Sequence, residues 1–146
     1  MTRPHVDHIG IIVENLEKSM ALFESLFGLQ TPEIKEMDEV GLRIATLKAE
    51  NIDIELIQYT TCADNFGERV MGTPSGVNHL SIKTDDVDTS VLEFENKGVC
   101  VMEGFPRTGS HGRVAFFKKE TTRDILLEIC SDDAGKTNTG SKDGLL

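Results

Sequence analysis

Along the first strand-like stretch, Ile9, Ile11 and Val13 alternate with His8, Gly10 and Ile12. This is the two-residue period of a strand. From Leu16 the period lengthens, and Leu16, Met20, Phe23 and Phe27 fall four, three and four residues apart. That spacing makes the single apolar stripe of an amphipathic helix. Asn15 precedes the stripe as an N-cap and Gly28 follows it as a stop. The pattern then recurs 71 residues later. His79 stands for His8, Asp86 for Asn15, Val87 for Leu16, Asp88 for Glu17 and Phe94 for Phe23, with Gly98 as the second stop.

Strand-like runs follow each helix. "VGLRIATLKA" and "IDIELIQY" belong to the first copy, and "VCVMEG", "RVAFFKK" and "DILLEIC" to the second. Each copy therefore reads strand, helix, then two or three strands. An offset of this length is too long for a solenoid repeat and suits two joined modules. The expected fold is α+β: two βαβββ modules forming a curved mixed sheet around a metal-binding cleft. One domain is expected over residues 5–130, with modules at about 5–70 and 75–130. The polar, glycine-rich stretch 131–146 is expected to be a loose tail.

The copies also share a polar signature. Glu55 lies 47 residues after His8, and Glu128 lies 49 after His79, each glutamate inside an apolar strand. In all four strands the histidine or glutamate falls opposite the more consistently apolar side. The helices are expected to pack on that apolar side, leaving His8, Glu55, His79 and Glu128 to converge on the other. A carboxylate inside an apolar strand is costly without a compensating charge, and two close together raise one another's pKa. A divalent cation relieves both. Two imidazoles and two carboxylates suit Co, Ni, Zn, Mn or Fe(II). The remaining histidines lack this pairing. His5 is expected in solvent, and His111, on the glycine loop "GSHG", suits a surface role or a substrate contact equally.

Composition narrows the classes. The 146 residues carry a net charge of −10 with no basic patch, which speaks against nucleic acid as a partner. No apolar run reaches the roughly 20 residues of a membrane helix, and "MTRPHVDH" carries no signal-peptide stretch. The expected location is the cytoplasm. Cys62, Cys100 and Cys130 have no CxxC spacing and are expected to be buried free thiols.

The order His, Glu, His, Glu in paired βαβββ modules resembles the vicinal oxygen chelate superfamily of glyoxalases, bleomycin resistance proteins and dioxygenases. "HIGIIVENLEKSMALFESLFGL", "GVNHLSIKTDDVD" and "GSHGRVAFFKKETTRDILLEI" look most like its methylmalonyl-CoA epimerase branch. The resemblance implies that His8, Glu55, His79 and Glu128 hold the metal, and that Glu128 also transfers a proton. It implies a small-molecule substrate such as an acyl-CoA thioester, and a homodimer. The sequence departs from that branch in the turn "FFKKETTRD", which lacks the family's Pro and Gly, and in one strand. Where the family can carry a further acid, "GLRIATLKA" offers Arg43 or Ile44, leaving Glu39 or His111 as the second acid/base candidate. A glyoxalase I-like lyase is the main alternative, since it moves a proton with fewer groups. An extradiol dioxygenase would use only His8, His79 and Glu128, and a simple ligand-binding protein would need none of the four.

Overall fold

The computed structural model describes residues 3–30, 33–110 and 112–132. The stretch expected to be a tail lies outside the described residues from 133 onward, as does His111. The chain divides into two compact units. One is His8–Leu80; the other joins the residues before His8 to those from Ser81 on.

In the first unit, β1 (His5–Ile12, from His8) leads into α1 (Leu16–Phe27), β2 (Lys35–Met37), β3 (Leu42–Lys48) and β4 (Asp53–Tyr59). A short helix, α2 (Phe66–Met71), and the start of β5 (Gly76–Lys83) complete it. Its strands lie in the order β2-β3-β4-β1-β5. β1 runs parallel to β4, while β4, β3 and β2 are antiparallel. The second unit takes up β5 at Ser81 and adds α3 (Val87–Asn96), β6 (Arg107–Thr108), β7 (Arg113–Phe116) and β8 (Leu127–Ser131), in the order β5-β8-β7-β6. The fold is thus α+β with a mixed strand arrangement.

The helices start where the sequence places them. The Asn15 side chain accepts from the Lys18 amide at 2.9 Å, and Asp86 accepts from the Thr89 amide at 3.2 Å. Each satisfies a donor that the first helical turn leaves without a partner. A second device also repeats. Arg43 of β3 grips Glu17 in the first turn of α1, with Nη2 to Oε2 at 2.6 Å. Arg113 of β7 grips Asp88 in the first turn of α3 at 3.0 Å. These clamps fix each helix start over its own strands, and the acids sit at the positive end of the helix dipole. α1 closes on Gly28 in the left-handed conformation, φ 71°.

The apolar strand faces behave as expected. Leu16 and Met20 of α1 pack with Ala45, Leu47 and Leu56. Val87 and Val91 of α3 pack with Ala115, Phe117 and Ile129.

Three expectations need correction. "VCVMEG" forms no strand; it contributes one bridge, Val101 to Phe117, before the chain turns at Gly104 with φ 92°. "DILLEIC" becomes a strand only at Leu127, because Arg123 and Asp124 turn through positive φ, and Ile125 is left exposed. The thiols are not uniformly buried, since Cys130 is buried but Cys100 is exposed. The side of β1 opposite α1 carries apolar residues as well as His8. Ile12, Leu42, Ile44 and Ile57 form a second core there, which Phe66 and Met71 of α2 cover. Among the described residues no helix is long and apolar enough to cross a membrane.

The paired caps predict paired costs. Asn15→Ala and Asp86→Ala should each lower unfolding free energy by about 1 kcal/mol, read from urea melts, with Asn15→Asp close to neutral.

Candidate metal centre

Three of the four sequence-derived residues meet within the first unit. β1 supplies His8, β4 supplies Glu55 and β5 supplies His79; they are 4%, 6% and 4% exposed. Parallel pairing sets Gly10 opposite Glu55, so His8, Gly10 and Ile12 share a face with Glu55 and Ile57. The His8 Nε2 lies 3.5 Å from the Glu55 Oε1. The two imidazole rings stand edge to face, centroids 5.5 Å apart and planes at 85°.

Gly10 makes this possible. A Cβ on Gly10 would overlap Cε1, Nε2 and Nδ1 of His79, so the ring lies directly over the glycine backbone. A glycine within a strand pattern marks such close approaches, and that signal was present in "HIGII". Burial holds the His79 ring neutral, pushing its pKa down to about 4; the neighbouring His8 adds to this and Glu55 opposes it. Its Nδ1 lies 2.8 Å from the Asn78 Oδ1. Neither Gly10 nor Asn78 was among the residues expected to matter.

His8, Glu55 and His79 each offer a ligand atom, and these atoms lie within 4.8 Å of one another. Two imidazole nitrogens and a carboxylate are a donor set for a borderline divalent cation. The residues present fit one.

Glu128 belongs to the second unit. It is buried on β8 opposite Phe116 of β7. Two residues on, Cys130 accepts from the Ser81 hydroxyl at 3.2 Å. Burial first, then the charges of Asp7 and Glu128, push this thiol up to about 12 against the hydrogen bond from Ser81. A thiol raised in this way is a poor nucleophile.

The second acid/base candidates fare differently. Of the two β3 residues, Arg43 points to the α1 side, where it binds Glu17 and Glu36. Leu42, Ile44 and Thr46 share the face of Glu55, and none is an acid. Glu39 is exposed on the turn between β2 and β3.

The chain is similar to known proteins. Residues 7–117 match the model of the Glyoxalase/Bleomycin resistance protein/Dioxygenase superfamily. Similar curated proteins include the mitochondrial methylmalonyl-CoA epimerase of Dictyostelium discoideum, 26% identical over 85% of this chain and 76% of the relative. The human mitochondrial methylmalonyl-CoA epimerase is 24% identical over 85% of this chain and 72% of its own. A solved structure of a methylmalonyl-CoA epimerase in complex with methylmalonyl-CoA and ammonium superposes with a TM-score of 0.77. That pair is 26% identical and covers 89% of this chain and 95% of the other.

Gly10→Ala tests the packing. The added methyl must displace the His79 ring, an overpacking cost of about 1–3 kcal/mol. A lower melting temperature and a moved His79 ring signal in NMR are expected; an unmoved ring would refute the close approach.

Proposed function

Because the chain belongs to the Glyoxalase/Bleomycin resistance protein/Dioxygenase superfamily, we propose that it is a metal-dependent epimerase. Its reaction removes the proton α to the thioester carbonyl of an acyl-CoA of the methylmalonyl type. The observation that carries this reading is the buried set of His8, Glu55 and His79 in a chain whose relatives are epimerases.

His8, Glu55 and His79 are assigned as ligands of a divalent ion. Glu128, the second module's counterpart of Glu55, is assigned on the repeat argument as the fourth ligand. When bound, the ion would draw electron density from a carbonyl oxygen and make the neighbouring C–H more acidic. The chain's own groups do the rest. The Glu128 carboxylate takes the α-proton as general base. Loss of that proton leaves the carbon planar, and return of a proton to the opposite face inverts it. Burial of His8 and Glu55 keeps water from competing for their positions. The second proton donor remains Glu39 or His111.

One observation favours a second reading. With Ile44 where a further acid would serve two-faced exchange, a single base suffices for the shuttle of a glyoxalase I-like lyase. We further propose a homodimer, by analogy with the fold family, and a cytoplasmic location. The mitochondrial address in the names of the curated relatives is said of those proteins.

Two experiments decide. Protein loaded with Co²⁺ should incorporate solvent deuterium at the α-carbon of methylmalonyl-CoA. The hemithioacetal of glutathione and methylglyoxal, assayed beside it, should be unchanged; the reverse result would hand the assignment to the lyase. Glu128→Gln should then slow α-proton exchange by roughly 10²-fold or more while retaining part of the metal. Glu55→Gln should lower metal content with less effect on exchange per bound ion. A near-normal exchange rate in Glu128→Gln would remove that residue as the base.

A further inference from the structure

We propose that Asn78 is a positioning residue that fixes the tautomer of His79, so that Nε2 carries the lone pair. Three hydrogen-bonding groups decide this in sequence. The Asn78 Nδ2 lies 2.8 Å from the backbone carbonyl oxygen of Met71. A carbonyl oxygen only accepts, so the atom facing it must be the NH₂ end of the amide. That orientation leaves the Asn78 Oδ1 facing the His79 Nδ1, at 2.8 Å. The amide oxygen also only accepts, so Nδ1 must carry the hydrogen. A neutral imidazole has a single N–H, and Nε2 is therefore the basic nitrogen.

The choice is not the one histidine makes in water, where the neutral ring favours a hydrogen on Nε2. Left alone, that preference would put the hydrogen on the nitrogen needed for ligation. A hydrogen bond at the other nitrogen is the usual means of setting a ligating histidine. Here the acceptor comes from the residue just before it in the chain, itself held by the last residue of α2.

The anchor is fixed in turn. Met71 ends α2, and the Tyr59 hydroxyl donates to the carbonyl of Gly72, the next residue. Tyr59 stands on β4, the strand that carries Glu55. One strand therefore supplies a carboxylate of the set and also steadies the turn that aims Asn78. Gly10 leaves space for the ring. This gives α2 a purpose beyond covering the second core: it presents the carbonyl that orients the amide.

The tautomer needs no metal to be read. Only its consequence for affinity rests on the proposed ligand role of His79. Nitrogen NMR of isotope-labelled, metal-free, full-length protein should show Nδ1 protonated and Nε2 unprotonated in His79. Asn78→Leu removes both hydrogen bonds and should move the hydrogen toward Nε2. Asn78→Asp keeps an acceptor at Nδ1 and should preserve the wild-type tautomer. Zn²⁺ affinity by calorimetry should fall roughly 10- to 100-fold in Asn78→Leu and much less in Asn78→Asp.

Wild-type protein with the hydrogen on Nε2 would overturn the proposal, whether or not the Leu variant folds. So would Asn78→Leu with its tautomer unchanged, which would leave Asn78 a purely structural tie to α2. If the wild-type tautomer is as stated and Zn²⁺ does not bind at all, the metal-dependent function fails while the role of Asn78 in setting the ring stands.

Discussion

Placing two imidazoles and a carboxylate inside a sheet face is the constraint on which the first unit turns. Each such group costs free energy when taken from water unless a partner replaces the water. The unit answers with geometry. Parallel pairing of β1 with β4 fixes Gly10 beside Glu55, and the vacant side-chain position at Gly10 receives the His79 ring. His8 then comes within 3.5 Å of Glu55. A slip of one residue in β1 would carry His8 and Gly10 to the α1 side and bring Ile9 and Ile11 to the polar one. The packing of Ile11 and Val13 under Leu16 and Met20 opposes that slip. The apolar core thus holds the polar set in register.

The two modules keep the parts that hold position and differ in the parts that cover. Both retain a side-chain cap at the helix start and an arginine clamp from a strand to the first helical turn. The clamps are exposed and add little stability by themselves; their use is to fix where each helix begins. Divergence appears after the helix. The first module continues through β3 and β4 into α2, which closes a second small core. The second passes through a turn with Arg123 and Asp124 at positive φ before β8. Side chains tolerate that conformation poorly, and glycine would adopt it at lower cost.

Long, periodic elements were legible in the sequence. α1, α3, β1, β3, β4 and β5 all lie where alternation or a helical stripe places them, with β1 and β5 beginning three residues before their histidines. Sheet facing was legible too, because alternation assigns each strand residue a side. Short elements were not. β2 and β6 have three and two residues, too few to show a period. α2 has six, and its leading Asn65 sits at φ 51° without a side-chain cap bond, so neither start signal nor stripe announced it. "VCVMEG" misled because its apolar residues pack beneath α3 without joining a ladder. Gly10 could have been read as a site of close approach. Asn78 could not, since its meaning depends on the carbonyl of Met71, which no linear pattern connects to it.

The distribution of positive charge completes the physical picture. Arg43 is bound by Glu17 and Glu36, Lys48 by Asp53 and Arg69 by Asp64, all acids that are exposed or partly so. These cations of the first unit therefore face outward or toward a helix start. Arg43 shows why most plainly. It occupies β3, whose neighbour β4 carries Glu55, yet it sits one residue out of phase with Thr46 and Ile44, on the opposite side. Had β3 placed the guanidinium one position along, it would have shared the face of the carboxylate, where a charge-assisted pair can form. Keeping Arg43 on the helix side leaves Glu55 with two imidazoles, one of them held neutral by burial. Two imidazoles and one carboxylate make a donor set that suits a small divalent cation. The same phase that clamps α1 therefore keeps a competing arginine away from the candidate metal centre.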